Sequence, residues 1–276
     1  MAKAKGNTEV AVKDESAQLP AEYGAYEQFA GAGFENHTAD DYSIPFINIL
    51  QALSPQLNDN PELRQGMVLN TVTGEVFAGN EGITFIPATT QHKFTEFKPR
   101  EAGGGFVGNH EPNSELVQHC KANQSFGDFK TPEGNELIET FYVYGVLIDG
   151  NGDSSQVVVA FTSSKIKKYK GWMTKAKTIQ IPLPDCRRIP APLFAHKYRL
   201  KTVSEKNAKG QFFNWEIAFD GENAMAARLV PNDPLFQYAV KTKEMVDKGT
   251  AKADFKSQDV AGAGETGAGA DGKPVF

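Results

Sequence analysis

The stretch that decides the fold is LIETFYVYGVLI (Leu137–Ile148), followed by the turn DGNGD (Asp149–Asp153) and by QVVVAF (Gln156–Phe161). Both apolar runs are rich in β-branched and aromatic residues, which favour strands. The short glycine-containing turn between them is typical of a β-hairpin. This segment therefore predicts two long, adjacent antiparallel strands.

A second hairpin is predicted around Asn207–Gly210, between His196–Val203 and Gln211–Phe219. In its second strand the large apolar residues alternate with small or polar ones, which assigns Trp215 to a core face. Upstream, Ile83–Pro87 and His92–Phe97 are also strand-like, so most of the middle of the chain is predicted to be β-structure.

Two helices stand out against this background. One is expected over Lys165–Lys177, behind a cap at Ser163 or Ser164, and the other begins at Asp233–Pro234 and ends near Gly249. Proline is favoured at the first helical position, and glycine just after the last one. The predicted class is α+β and β-rich, with an OB-like barrel core and peripheral helices.

The ends of the chain differ in composition from this core. Residues 1–40 are predicted to form a disordered acidic arm, residues 41–248 a single β-rich domain, and residues 249–276 a flexible Gly/Ala-rich tail. Within the arm, the aromatic residues from Tyr23 to Phe34 are expected to be able to dock on a surface.

Composition excludes several classes of protein. No run approaches the ~20 consecutive apolar residues that a membrane span needs, and Met1–Gln18 lacks the apolar core of a secretory signal. Cys120 and Cys186 are too few for a disulfide framework or a four-cysteine zinc site. We expect a cytoplasmic protein of a reducing compartment, without a membrane partner.

No pattern supports catalysis. Gly103–Gly108 matches a dinucleotide fingerprint in spacing, but Asn109–Pro112 follows where a helix should begin. The chain is therefore interpreted as a non-enzyme that needs neither cofactor nor metal. The alternative is an enzyme with an unrecognised metal site around His110, His119 and Cys120, a spacing that matches no common ligand set.

Charge is distributed unevenly along the chain. The formal net charge is −5, yet residues 1–83 contain four basic and twelve acidic residues, and residues 163–201 contain eleven basic residues against Asp185 alone. Local patches, rather than net charge, set the field that a polyanion meets. The middle of the chain is therefore predicted to bind a polyanion.

Helical spacing places Ile166, Tyr169, Met173 and Ala176 on a buried stripe, beside a second stripe of three lysines and Trp172. Trp172 is expected to be at least half exposed and to stack on bases, while lysines meet phosphates. In His196–Val203, strand alternation sends Lys197, Arg199 and Lys201 to one face, and we call these three residues the basic ladder. The predicted nucleic-acid-binding residues are Lys165, Lys167, Lys168, Trp172, Lys175, Arg187, Arg188, Lys197, Arg199 and Lys201.

No helix-turn-helix, zinc finger or basic zipper is present to read the major groove. Aromatic and basic residues on β-structure suit single strands better. The prediction is therefore that residues 41–248 form a nucleic-acid-binding domain, which binds single-stranded DNA by phosphate neutralisation and base stacking without strong sequence preference. The alternative is a structural or host-interaction protein whose basic patch docks an acidic protein partner.

Four segments together resemble a family of tailed-bacteriophage proteins: Asp41–Gln56, Asn70–Phe77, Phe97–Arg100 with Gly103–Gly105, and Phe161–Lys168. The resemblance covers roughly residues 40–200. It implies a single-stranded-DNA-binding protein of phage DNA replication or recombination.

Single-stranded-DNA-binding proteins commonly end in an acidic, glycine-rich tail tipped by proline and phenylalanine, which recruits partner enzymes. The chain ends in Pro274-Val-Phe276, but it has four acids against three lysines from Gly249 onward. Replication or recombination proteins are the partners that a tail ending in Phe276 would recruit. A tail without such a role is the alternative.

Overall fold

Antiparallel pairing of long strands builds the core of the protein. The structure, a computed structural model, describes residues 21–36, 38, 41–125, 127–207 and 210–258. The strands are β1 (Ile47–Ile49), β2 (Val68–Asn70), β3 (Val76–Phe77), β4 (Ile83–Phe97), β5 (Phe106–His110), β6 (Glu136–Ile148), β7 (Ser154–Thr162), β8 (Gln180–Pro182), β9 (Arg188–Pro190), β10 (Tyr198–Asn207) and β11 (Gly210–Phe219). The α-helices are α1 (Gln56–Asp59), α2 (Glu115–Asn123), α3 (Lys165–Thr178) and α4 (Pro234–Asp247), with 3-10 helices at Ala21–Phe29, Arg100–Ala102, Leu193–Ala195 and Phe255–Ser257.

The main sheet has the strand order β11-β10-β4-β6-β7, and β5 pairs with β4 beside this path. β1, β2 and β3 form a second sheet, and β8 and β9 form a separate hairpin. Both predicted hairpins are confirmed, because β6 pairs with β7 and β10 pairs with β11. The two predicted helices are also confirmed, as α3 and α4.

Some elements were not predicted from the sequence. α2 buries only Val117 and Cys120, so its apolar stripe is too narrow for a clear periodic signal. Strands β8 and β9 have three residues each and contain proline, which is depleted in strands. The two strand-like runs predicted between Ile83 and Phe97 are one continuous strand, β4, with a register shift between Pro87 and Thr89.

The largest apolar cluster contains side chains of both sheets and of α3. Ile47 and Val68 of the small sheet meet Phe85, Val143 and Trp215 of the main sheet in this cluster. Burial of such side chains is the dominant favourable term in folding. A different cluster places Ala239 of α4 against Ile86 and Val146. Because neighbouring strand residues point to opposite faces, β4 and β6 contribute to both clusters.

Two sets of hydrogen bonds connect residues beside the small sheet to β7, at one edge of the main sheet, and to β10, the strand next to the other edge. On one side the Val158 amide of β7 donates to the Pro45 carbonyl at 2.9 Å. On the other, the Thr202 amide of β10 donates to the Gly79 carbonyl at 2.8 Å, and its hydroxyl donates to the Gly66 carbonyl at 2.6 Å. This approach requires glycine, because a Cβ at Gly79 would lie 1.9 Å from the Gly66 oxygen.

The packed part of the chain extends to Gln258, beyond the boundary at 248 predicted from composition. The Phe255 ring contacts Phe46, Phe106 and Tyr142, and the Tyr142 hydroxyl donates to Oε1 of the buried Gln258 at 3.0 Å. These contacts were missed because the segment is short and follows a glycine. The rest of the predicted tail, residues 259–276, lies outside the described residues.

The N-terminal 38 residues form a unit of their own, separate from residues 39–276. Of the predicted arm, residues 1–20 lie outside the described part of the chain, and Ala21–Phe29 forms a 3-10 helix. The Tyr26, Phe29 and Phe34 side chains within this unit are exposed. Across the described residues, no helix has the length and apolar character to cross a membrane.

A buried histidine makes the stability of the fold depend on pH. His196 is 1% exposed, and burial together with the charge of Arg228 lowers its pKa from the ordinary value of 6.5. Below pH 6.5 the unfolded chain therefore binds a proton that the folded chain resists, so stability falls as the pH falls. We expect His196 to account for a loss of at most about 1.4 kcal/mol per pH unit.

Urea unfolding between pH 7.5 and 5.5 tests this expectation. The free energy of unfolding of His196→Gln should depend less on pH than that of the unsubstituted protein, because glutamine does not titrate. Identical pH dependence in the two proteins would assign the effect to other groups.

Candidate nucleic-acid interface

Helix α3 carries the highest density of positive charge in the chain. Its sequence, KIKKYKGWMTKAKT, contains six lysines and no acid. The helix forms because an apolar stripe at spacings of three and four residues, Tyr169, Trp172 and Ala176, is buried against the core. The lysines on the opposite side are thereby directed to solvent.

Trp172 is buried rather than half exposed, so this part of the prediction is wrong. It retains 5% of its exposure and packs against Phe85, Phe161 and Tyr198, at ring-centroid distances of 6.3, 6.1 and 5.1 Å. The helix is rotated by about 40° from the orientation that the sequence favoured, and this brings the large indole into the core. No face of the indole is accessible to a base, and Trp172 is therefore removed from the candidate site.

The same rotation determines which lysines reach solvent. Lys165 and Lys168 are half-buried beside the apolar stripe, and Lys167 and Lys175 are exposed. Two lysines that were not included in the predicted site, Lys170 and Lys177, are also exposed. We call the exposed set Lys167, Lys170, Lys175 and Lys177 the lysine face of α3. A helical wheel centred on Trp172 would have placed Lys167, Lys170 and Lys177 on the solvent side. Lys175, three residues after Trp172, lies nearer the buried stripe and is exposed all the same.

Lys168 is held in an ion pair. Its Nζ lies 2.6 Å from Oε1 of Glu205 on β10, and the Asn214 amide donates to the other carboxylate oxygen at 2.8 Å. Burial alone would raise the pKa of Glu205, but these hydrogen bonds and the charges of Lys168 and Lys167 outweigh it and lower the pKa. Lys168 was predicted to bind a phosphate, but in the structure it pairs with the Glu205 carboxylate instead.

The predicted basic ladder on β10 is partly neutralised. Nε and Nη2 of Arg199 donate to Oδ1 of Asp220 at 3.0 and 2.9 Å, and the Thr84 hydroxyl donates to Oδ2 at 3.1 Å. Lys201 is exposed but lies opposite Glu216 of β11, and Lys197 is half-buried. The alternation that defined the ladder is confirmed, because Tyr198 and Leu200 are buried between these residues. Its charge is lower than the sequence indicated.

The β8–β9 hairpin follows α3 directly and adds two exposed arginines. The Ala191 amide donates to the Ile179 carbonyl at 2.9 Å, which joins the base of the hairpin to the end of the helix. Arg187 and Arg188 lie at its turn, where Nε of Arg187 is 2.6 Å from the exposed carboxylate of Asp185. Exposed pairs of this kind contribute little energy, so a phosphate could replace the carboxylate.

The three residues of the alternative metal site have other partners. Nε2 of His110 lies 2.7 Å from the Glu96 carboxylate, Cys120 is buried, and His119 contacts Asn123. Among the described residues, no group of three or more His, Cys, Asp or Glu side chains is arranged to hold a metal ion.

Comparison with known proteins places the chain in a phage protein family. The model of a family described as Pam3 phage gp34-like protein matches residues 13–252. Neither a curated protein nor a solved structure matches the chain.

Proposed function

The chain belongs to the Pam3 phage gp34-like protein family, and from this premise we propose that it binds single-stranded DNA during phage replication or recombination. The observation that carries the proposal is the lysine face of α3, four exposed lysines on a helix without an acid. Lysines that neutralise phosphates release counterions, which supplies affinity without sequence preference.

The position of the lysines on the helix also favours an anionic ligand. The first turn of α3 contains lysines and no acid, although a helix N-terminus is the positive end of the dipole. Lysines at the positive end of the dipole repel it and so destabilise the protein without a ligand. A bound phosphate would reduce this repulsion. Arg187 and Arg188 extend the positive surface beyond the other end of the helix.

An OB-like barrel is the second part of the proposal. The supporting contacts are the Val158–Pro45 bond at one side of the small sheet and the Thr202–Gly79 bond at the other. The small sheet and the strands β10, β4, β6 and β7 all contribute side chains to the apolar cluster that contains Trp215 and Trp172, as the strands of a barrel would. OB folds are partly open Greek-key barrels that bind oligonucleotides on a strand face and loops.

The proposed function is tested by fluorescence anisotropy of labelled oligothymidine across salt concentrations, with a duplex of equal length alongside. We expect the single strand to bind more tightly and its affinity to fall as salt rises. Absence of binding to either DNA at 50 mM salt would contradict the proposal. It would favour the alternative, in which the basic surface docks an acidic partner protein of the phage or its host.

Glu205 offers a test in the direction of tighter binding. Glu205→Gln removes the carboxylate that pairs with Lys168, so this lysine becomes available to phosphates in addition to the lysine face. We expect the salt slope to become steeper by about 0.7 for each added contact. The matched control is Glu244→Gln on α4, which breaks a comparable pair with Lys248. Equal effects of the two variants would show that net charge alone is responsible.

A further inference from the structure

Strand β4 has an open edge in its middle. β6 pairs with β4 along one side, from Thr84 to Phe97. On the other side β10 pairs with Ile83–Phe85 and β5 pairs with Phe94–Phe97, and no described strand pairs with the residues between. The 3-10 helix at Leu193–Ala195 covers the part nearest β10, where Phe194 packs against Ile86 and Ala88.

The remaining part, Thr89–Lys93, is the only half-exposed run in this strand, between buried residues on both sides. We call it the β4 window. Its five side chains, Thr-Thr-Gln-His-Lys, are all polar. Exposed strand edges are a liability that proteins normally protect, so an open edge in the centre of a long strand is unusual. The composition of the β4 window suits a hydrated, polar ligand.

A column of three aromatic rings ends at the β4 window. Phe141 of β6 lies directly opposite His92 and stacks on it, with ring centroids 4.2 Å apart and planes at 10°. The other face of Phe141 stacks on Tyr169 of α3 at 4.5 Å and 24°. Phe141 is thus enclosed between two rings. The outermost ring of the column is His92, whose side chain is 36% exposed, and the tilted Phe94 ring lies beside it at a centroid distance of 5.7 Å.

The His92 ring is held in place. Its Nε2 lies 2.9 Å from Oε1 of Glu139, two residues before Phe141 on the same strand. The stacked Phe141 ring and the hydrogen bond to Glu139 both restrict rotation of the His92 side chain. Little conformational entropy is therefore lost when a ligand stacks on this ring. This is the property that Trp172 was expected to have and that its burial prevents.

A lysine of α3 stands beside the column. Nζ of Lys170 lies 5.8 Å from the centroid of Phe141, which is itself 4.2 Å from His92. The column therefore connects the lysine face of α3 with the β4 window through a single ring. Aromatic rings with cations beside them are the combination that single-stranded nucleic acids require for bases and phosphates.

We propose that the outer face of the His92 imidazole is a base-stacking position of the single-strand interface, with the strand's phosphates passing over Lys170 toward the rest of the lysine face. This inference rests on the proposed function and names the base-contacting residue that the function lacks. A nucleic acid is favoured over an added protein strand because the β4 window is polar and combines a stacked ring with a neighbouring cation.

The test compares two ligands and three variants of the full chain. The ligands are oligothymidine and an abasic deoxyribose-phosphate oligomer of equal length, which has phosphates but no bases. His92→Gln keeps a hydrogen-bonding group for Glu139 and removes the ring, and His92→Phe keeps a ring. The matched control is His110→Gln, which alters a similar pair of a half-exposed histidine with a glutamate.

We expect His92→Gln to weaken oligothymidine binding by roughly 5- to 100-fold without changing its salt slope. Binding of the abasic oligomer should be unaffected, and His92→Phe and His110→Gln should bind oligothymidine like the unsubstituted protein. Equal losses on both ligands would overturn the inference, because a phosphate contact would then explain them.

Two other results would also overturn it. If the unsubstituted protein binds oligothymidine and His92→Gln binds equally well, the bases stack elsewhere and the proposed function still stands. If the unsubstituted protein binds neither ligand, the proposed function fails together with the inference. Competition of a peptide strand for the β4 window would then identify a protein ligand instead.

Discussion

Simultaneous alanine substitution of the lysine face is expected to flatten the salt dependence of single-stranded-DNA binding by about 2.8 in a plot of log K against log salt. The reason is that each phosphate contact contributes about 0.7 for a single strand, and four lysines are removed. Between 50 and 200 mM salt, the unsubstituted protein should therefore lose about 50-fold more affinity than the variant. Salt titrations by fluorescence anisotropy measure this difference.

The control for this variant removes the same charge elsewhere. Four exposed lysines outside α3 are replaced by alanine: Lys130, Lys241, Lys248 and Lys256. We expect its salt slope to equal that of the unsubstituted protein. Alanine is a better helix former than lysine, so the α3 variant should remain folded. A similar change of slope in both variants would mean that the DNA responds to overall charge and does not lie on α3.

Replacement of Trp172 by alanine is expected to be the most destabilising single substitution discussed here. The buried indole packs against three aromatic rings, and removal of a buried Trp or Phe side chain costs about 3–5 kcal/mol. For a domain of this size the melting temperature should fall by roughly 6 to 20 °C. Chemical and thermal unfolding measure both quantities.

Two further variants separate packing from ligand binding. Trp172→Leu keeps a large apolar core residue without an aromatic ring, and we expect its folded form to bind oligothymidine with unchanged affinity. Met225→Ala alters a side chain that is 74% exposed and should change the free energy of unfolding by less than about 0.5 kcal/mol. A folded Trp172→Leu protein with greatly weakened DNA binding would restore the stacking role that the burial of this residue contradicts.

Local signals were sufficient for much of the fold. The turn between Ile148 and Ser154 and the proline at the start of α4 act over a few residues, and both elements form where they were predicted. The orientation of α3 could not be obtained in this way. An apolar stripe centred on Tyr169 and one that includes Trp172 differ by only a fraction of a turn, and contacts with Phe85 and Tyr198 decide between them.

The candidate site, too, could be predicted from local sequence only in part. Alternation predicted correctly that Arg199 and Lys201 point away from the core. It could not predict that Asp220 would pair with Arg199, or that Glu205 would pair with Lys168 on another element. Nor could it predict the β4 window, because an open strand edge is defined by where the neighbouring strands end.

The positions of the two long hairpins and of α3 and α4 follow from the sequence alone, and so does the concentration of positive charge between residues 163 and 201. These properties depend on the intrinsic preferences of neighbouring residues and on their periodicity. Only the tertiary structure decided which cations remain exposed, which tryptophans are buried, and which ring ends a stack at the surface. Those outcomes depend on contacts between residues far apart in the chain, such as the Gln51 side chain and the Phe213 backbone. Packing selects among orientations that the local sequence leaves nearly equal in free energy.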